Sequence, residues 1–312
     1  MTTFAFVFPG QGSQSVGMLD AWGGHPAVTA TLAEASAALG EDVGALIQDG
    51  PKERLDLTTN TQPVMLAAGI ACYRAWIAET GLTPAMVAGH SLGEYTALVA
   101  AGVLQLADAL PLVRFRAQAM QDAVPVGVGA MAAILGLDAP AVQAGCAEVA
   151  AASGEVVEAV NFNDPKQTVI AGTKSGVEQA CVALKARGAK RALALPVSAP
   201  FHSSLMKPAA ERLRERLAAT TLAAPVIPVL NNVDVACETD PERIRDALYR
   251  QAFGPVRWVE VVQAMRTQGL TRIVECGPGK VLAGMVRRID PEAVTATVFD
   301  PESLAEARAL LS

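Results

Sequence analysis

Ala85-Met86-Val87-Ala88-Gly89-His90-Ser91-Leu92-Gly93-Glu94-Tyr95-Thr96-Ala97-Leu98-Val99-Ala100-Ala101 joins a short apolar run to a longer one through a turn of small residues. Ala85–Gly89 has the length of a buried strand, and Leu92–Ala101 has the length and composition of a helix. Between them lies Gly89-His90-Ser91-Leu92-Gly93, a Gly-x-Ser-x-Gly. A nucleophile elbow needs this pattern, because small residues must flank a serine held on a sharp strand-to-helix turn. The helix that follows aims its N-terminal N–H groups at any oxyanion formed there. The competing interpretation is a glycine turn with a capping serine. The strand–turn–helix setting favours the elbow.

The same alternation recurs along the rest of the chain. Phe4–Phe8 is a predicted strand that enters the glycine loop Pro9-Gly10-Gln11-Gly12-Ser13-Gln14. Pro63–Glu79 reads as a buried helix ending before Gly81, and Leu104–Gln121 as an amphipathic one. A different rhythm runs from Gly127 to Val197. Strands are predicted at 130–137, 156–162, 167–172 and 192–197, with helices at 139–152 and 176–187. That β-α-β-β-α-β order is the ferredoxin-like arrangement. Beyond it come helices at 205–219, 241–253, 256–268 and 281–289, and strands at 226–230, 272–276 and 294–298. The expected fold is α/β: a large, discontinuous unit with a parallel sheet (residues 1–126 and 198–312) and an inserted ferredoxin-like subdomain (residues 127–197). No internal repeat is visible.

Composition narrows the class. The 312 residues are 51% hydrophobic and 18% charged, which excludes a disordered chain. A net charge of −6 argues against a nucleic-acid binder. No uncharged apolar run reaches the length of a membrane span, and Met1–Gly10 lacks the basic start of a signal peptide. The chain reads as cytoplasmic, and, without a coiled-coil segment, as a monomer. Cys72, Cys146, Cys181, Cys237 and Cys276 are scattered and read as buried reduced thiols. Three histidines are too few for a His-rich metal cluster.

A serine nucleophile needs a base. His90 adjoins Ser91, and neighbouring side chains leave an extended strand in opposite directions, so a packing role is expected for it. His25, in Gly23-Gly24-His25-Pro26, has a surface-loop setting. His202, in Ser198-Ala199-Pro200-Phe201-His202-Ser203, falls where the small unit returns to the large one, and clefts between units are where sites form. His202 is the base by elimination. Either Asp234 or a backbone carbonyl could orient its ring. Nucleotide fingerprints fail: Ser15 stands where Gly10-x-Gly12 would need its third glycine, and Met18 follows Gly17 where a phosphate loop needs lysine.

Several motifs together resemble the malonyl-CoA:acyl carrier protein transacylases. They are Phe-Pro-Gly-Gln-Gly-Ser-Gln (8–14), Gly-His-Ser-Leu-Gly-Glu-Tyr (89–95), Arg116 with Met120-Gln121, Phe201-His202-Ser203 and Gly-Pro-Gly-Lys (277–280). They run in order along nearly the whole chain. The resemblance implies an α/β-hydrolase-like large subdomain with an inserted ferredoxin-like one. It implies Ser91 as nucleophile, His202 as base, and the backbone N–H groups of Gln11 and Leu92 as oxyanion donors. It further implies Arg116 as the partner of the malonyl carboxylate and the main-chain carbonyl of Gln251 as the orienter of His202. Helical periodicity places Arg114 and Arg116 on opposite flanks of one apolar face and does not choose between them. Ala117 departs from the glycine many relatives carry. Phe201 would crowd an α-methyl group and so accompany malonyl use.

The implied reaction moves malonyl from malonyl-CoA to the phosphopantetheine thiol of holo acyl carrier protein through a malonyl-serine, by a ping-pong route that supplies fatty-acid synthesis. No metal or tightly held cofactor is expected. Docking of an acidic carrier would use Lys185, Arg187, Lys190 and Arg191, or Arg287 and Arg288. The alternatives are a discrete polyketide-synthase acyltransferase, a serine thioesterase or esterase, and, last, a non-catalytic carrier-binding subunit.

Overall fold

Phe4, Phe6 and Phe8 point to one side of the first strand, and Ala5 and Val7 to the other. This two-residue period buries both faces, as a central parallel strand requires. The computed structural model describes residues 3–197 and 199–311; Ser198, at the expected return to the large unit, lies outside them. The strands are β1 (Ala5–Phe8), β2 (Met86–Gly89), β3 (Gly129–Leu135), β4 (Val157–Asp164), β5 (Gln167–Thr173), β6 (Arg191–Ala194), β7 (Val229–Leu230), β8 (Arg272–Cys276) and β9 (Val294–Val298). One sheet has the order β7-β2-β1-β8-β9, every pair parallel. The other has the antiparallel order β4-β5-β3-β6, the ferredoxin-like pattern expected for this segment.

Helices cover the parallel sheet on both faces. On one, Phe6 meets Trp76 of the helix Thr58–Thr80 edge-on, with ring centroids 5.4 Å apart. On the other, Ala5 and Val7 pack with Trp258, Val262 and Met265 of the helix Trp258–Thr267. The small sheet has its own core, including Ile134, Val142, Ile170 and Leu184. Its opposite face, with Met131, Val160 and Val169, meets Phe201.

Local departures from the expected elements have physical causes. The helix expected to begin at Pro63 begins at Thr58, with the proline inside it. Pro63 lacks the N–H that would bond the Thr59 carbonyl. Arg114 Nε donates to that carbonyl instead, at 3.4 Å. The helix expected from Val256 begins at Trp258. Val256 instead exchanges backbone hydrogen bonds with Val160 and Phe162 of β4, tying the two units together. The strand expected to reach Val197 stops at Ala194, because Pro196 has no N–H for a ladder. The strand expected over 226–230 shortens to Val229–Leu230. Helices Pro26–Leu39, Val43–Asp49 and Pro301–Leu311 fall where no element was expected.

The cysteine expectation needs correcting at two positions, the half-buried Cys181 and the exposed Cys237. All five thiols are free, and Cys72, Cys146 and Cys276 are buried, but Cys237 is exposed. Among the described residues no helix is long and apolar enough to cross a membrane, and no group of three His, Cys, Asp or Glu residues could hold a metal ion.

Candidate active site

Strand register brings the loops of the site together. Phe8 of β1 pairs with Gly89 of β2, so the loops carrying Gln11 and Ser91 leave the same edge side by side. On the far side of β2, Ala88 pairs with Leu230, which places Asn231 and Asn232 one step beyond that edge. In open parallel sheets, sites form outside the carboxyl ends of the strands. A cleft of about 570 Å³ opens there, lined among others by Gln11, Ser91, Arg116, Asn163, Phe201 and His202. Leu195, Pro196 and Val197, which follow β6, form part of its wall.

Ser91 adopts φ 53°, ψ −105°, a sparsely populated conformation for a residue with a Cβ. The flanking glycines make that turn sterically possible. A Cβ on Gly93 would lie 2.0 Å from the Phe8 carbonyl oxygen, and one on Gly89 would lie 1.9 Å from the Gly93 carbonyl. The Gly-x-Ser-x-Gly pattern is therefore a packing requirement of this elbow. Gln11 and Leu92 both line the cleft beside Ser91, Leu92 as the first residue of the helix that follows it.

His202 also has a positive φ, 66°, and is buried. Its Nε2 lies 2.7 Å from Ser91 Oγ. Its Nδ1 lies 2.9 Å from the Gln251 carbonyl oxygen and 3.2 Å from that of Gly254. Carbonyl oxygens only accept, so Nδ1 carries the proton and the Nε2 lone pair faces the serine hydroxyl. The orienting group is thus a backbone carbonyl. Asp234 is instead paired with Arg250 at 2.6 Å and 2.7 Å. Burial pushes the His202 pKa down to about 3, with the Arg116 charge adding to the effect and the Gln251 carbonyl opposing it. The imidazole is neutral at neutral pH.

Arg116 and Arg114, which periodicity alone could not separate, have opposite fates. Arg114 turns outward and pairs with Glu41. Arg116 is 2% exposed. Its Nη1 donates to Gln62 Oε1 at 2.8 Å, and its Nη2 donates to Gln251 Oε1 at 3.0 Å and to Ser91 Oγ at 3.2 Å. Its guanidinium lies over the Tyr95 ring, and its Nε has no hydrogen-bond partner among the described residues. No carboxylate forms an ion pair with it among the described residues. A guanidinium stays charged even when buried. Among the described residues, the cleft therefore holds a cation with no carboxylate in direct contact beside the Ser91 hydroxyl, the buried Glu94 acting on it only from a distance. A carboxylate on the substrate would complete it.

The other two histidines lie outside this arrangement. His90 Nε2 is 2.8 Å from Asn163 Oδ1, and its ring is tilted against Trp258, which joins the two units at the cleft. His25 caps the helix Pro26–Leu39 by accepting from the Ala27 N–H, and it pairs with Glu79. Of the basic residues considered for docking, Arg187 pairs with Glu148 and Arg288 with Asp164.

Sequence reading passed over Gln62, Glu94 and Asn232. Asn232 Oδ1 accepts the Ser91 N–H at 2.8 Å, and Glu94 Oε2 accepts the Asn232 N–H at 2.8 Å. Burial pushes the Glu94 pKa up to about 7, against the opposing hydrogen bonds from Gln251 and Asn232. A polar residue directly after a buried parallel strand, as at Asn231-Asn232, was the available signal.

Residues 5–297 match the model of the acyl transferase domain family. The malonyl CoA-acyl carrier protein transacylase of Escherichia coli is 56% identical over 308 residues, 98% of this chain and 99% of that protein. That of Bacillus subtilis is 45% identical over 97% of this chain and 96% of that protein. The acyl-carrier-protein S-malonyltransferase structure from Burkholderia pseudomallei superposes with a TM-score of 0.97 at 66% identity, covering 98% of this chain and 99% of that one. A malonyl-transacylase in complex with its type II PKS acyl-carrier protein also gives a TM-score of 0.97, at 50% identity over 99% of this chain and 100% of that one. With an elbow serine, a carbonyl-oriented histidine and an unpaired buried arginine in one cleft, this chain belongs to the malonyl-CoA:acyl carrier protein transacylases of the acyl transferase family.

Proposed function

We propose that this protein transfers malonyl from malonyl-CoA to the phosphopantetheine thiol of an acyl carrier protein, with Ser91 holding the acyl group between the two. The observation that carries this is the unpaired Arg116 guanidinium 3.2 Å from Ser91 Oγ. A planar guanidinium binds a carboxylate bidentately, and in a buried site it selects an acyl group bearing one.

In the first half-reaction Ser91 Oγ attacks the thioester carbonyl carbon as its proton passes to His202 Nε2. The carbonyl oxygen becomes an oxyanion facing the N–H groups of Gln11 and Leu92. Collapse breaks the C–S bond, and the proton on His202 leaves with the CoA thiol. In the second, the carrier's thiol gives its proton to His202 and its sulfur attacks the ester carbonyl. The Ser91 oxygen then departs and recovers the proton. These groups supply nucleophile, base, oxyanion donors and anion partner, so the scheme calls on no metal or tightly held cofactor. We assign the product to fatty-acid synthesis; the carrier protein, rather than the acyl chemistry, distinguishes this from a polyketide role.

Steady-state velocities at varied malonyl-CoA and carrier protein should give parallel double-reciprocal lines, the mark of a covalent intermediate. Intersecting lines, or malonate release matching transfer in the absence of any thiol, would favour direct transfer or a hydrolase respectively.

The charge of Arg116 also predicts a pH effect. Burial most of all, and then this charge and the neighbouring His90, disfavour the protonated form of His202. A malonyl carboxylate bound to Arg116 cancels that charge. The acid limb of kcat, which reports the acyl-donor complex, should therefore lie at higher pH than that of kcat/KM, which reports the free enzyme. Arg116→Ala should raise the kcat/KM limb toward the kcat limb. Identical limbs in both enzymes would show that Arg116 does not sense the substrate's charge.

A further inference from the structure

Every polar atom of the strained Ser91 is held. Its N–H donates to Asn232 Oδ1 at 2.8 Å, its carbonyl accepts from Gln251 Nε2 at 3.0 Å, and its Oγ faces His202 and Arg116. The Asn232 amide spans the elbow, because its Nδ2 also donates to the Gly89 carbonyl at 2.7 Å. Gln251 spans the rest of the site. Its carbonyl accepts from His202 Nδ1 and its Oε1 accepts from Arg116 Nη2. Both bridging residues are fully buried. Both are anchored on one atom: Asn232 N–H and Gln251 Nε2 donate to Glu94 Oε2, at 2.8 Å and 3.1 Å.

Glu94 lies in the first turn of the helix that follows Ser91 and is 2% exposed. A buried carboxylate is costly unless N–H donors or cations compensate it. Here no cation forms an ion pair with it among the described residues, and the reaction gives it no proton to move. An apolar side chain would fill that volume without the penalty. What the carboxylate adds is a single acceptor that fixes two long-range bridges at once.

We infer that Glu94 is a positioning residue. One carboxylate oxygen sets the nucleophile's backbone through Asn232, and sets the base and the arginine through Gln251. The inference rests on the roles given above to Ser91, His202 and Arg116. It separates positioning from binding, because Glu94 is not among the residues lining the cleft. Its loss should slow the acylation step while leaving thioester affinity nearly intact. Displacements of about 1 Å in a catalytic constellation cost roughly 10²-fold in rate.

The test is rapid-quench measurement of CoA release per folded molecule, on full-length Glu94→Ala, Glu94→Gln, Asn232→Ala and the double variant Glu94→Ala/Asn232→Ala. Glu94→Ala should acylate about 10²-fold more slowly, with KM for malonyl-CoA changed by less than about threefold. Glu94→Gln keeps an acceptor oxygen for both donors and should recover most of that loss. Asn232→Ala should lose a comparable factor. The double variant should be no slower than the slower single one, since both residues act through one chain of contacts. Acylation at the parent rate in either alanine variant, fully multiplicative losses in the double variant, or a loss confined to KM would overturn the inference. If Glu94→Ala does not fold, Asn232→Ala and Glu94→Gln still decide it by the same criteria. A parent enzyme that acylates Ser91 normally, with a Glu94 series that shows no effect, removes only the positioning role. A parent enzyme that forms no serine adduct removes the assignment on which it rests.

Discussion

Replacing Ser91 with alanine should lower malonyl transfer by on the order of 10⁴-fold or more, with the protein as stable as its parent. In the proposed route the hydroxyl is the atom that carries the acyl group, and its proton is the one His202 Nε2, 2.7 Å away, accepts in the first half-reaction. Residual turnover would come from the oxyanion donors and bound substrate alone, as in other serine enzymes stripped of their nucleophile. Alanine also suits the fold less than glycine at a positive φ, but serine already occupies that conformation, so no new backbone strain arises. The readout is transfer of labelled malonyl to holo carrier protein, alongside thermal unfolding. Transfer at even a tenth of the parent rate would remove Ser91 from the chemistry.

Arg116→Ala should cost about 10²–10³-fold in kcat/KM for malonyl-CoA and much less for acetyl-CoA, so that the malonyl preference collapses. A buried charged partner for a carboxylate contributes a few kcal/mol, and about 1.4 kcal/mol is a tenfold effect. The variant also leaves Gln62 Oε1 and Gln251 Oε1 without their donor. Some loss common to both substrates is therefore expected, and the ratio is the informative quantity. Arg116→Lys keeps a charge but not the planar fork, and should retain only part of the preference. Equal losses for malonyl and acetyl thioesters would reassign Arg116 to the scaffold.

Much of this arrangement was legible in the linear sequence, for identifiable reasons. The elbow is local: Gly89, Ser91 and Gly93 lie within one turn, and their steric demands leave a fixed pattern. The ferredoxin-like insert was legible because its strands and helices alternate at short range with distinct apolar periods. Pro63 misled the helix start because the partner that compensates for it, Arg114, comes from another helix. Val256 looked helical because its true partner is a strand of the other unit.

The network beneath Ser91 was not legible. Asn232 meets Ser91 from 141 residues away, and Gln251 meets Glu94 from 157. No spacing rule connects residues that only the sheet register brings together. Arg116 became distinguishable from Arg114 through burial, a property of packing that one helix's periodicity does not fix. His202 emerged by elimination only because the chain has so few histidines.

The proposed mechanism requires the acyl group to reside on Ser91 between donor and acceptor. Intact-protein mass spectrometry after mixing with malonyl-CoA, followed by a chase with holo acyl carrier protein, tests it directly. The expected result is one malonyl adduct, absent from Ser91→Ala, that persists in buffer and moves onto the carrier when it is added. An adduct that disappears into water without the carrier, or no adduct while transfer proceeds, would contradict it.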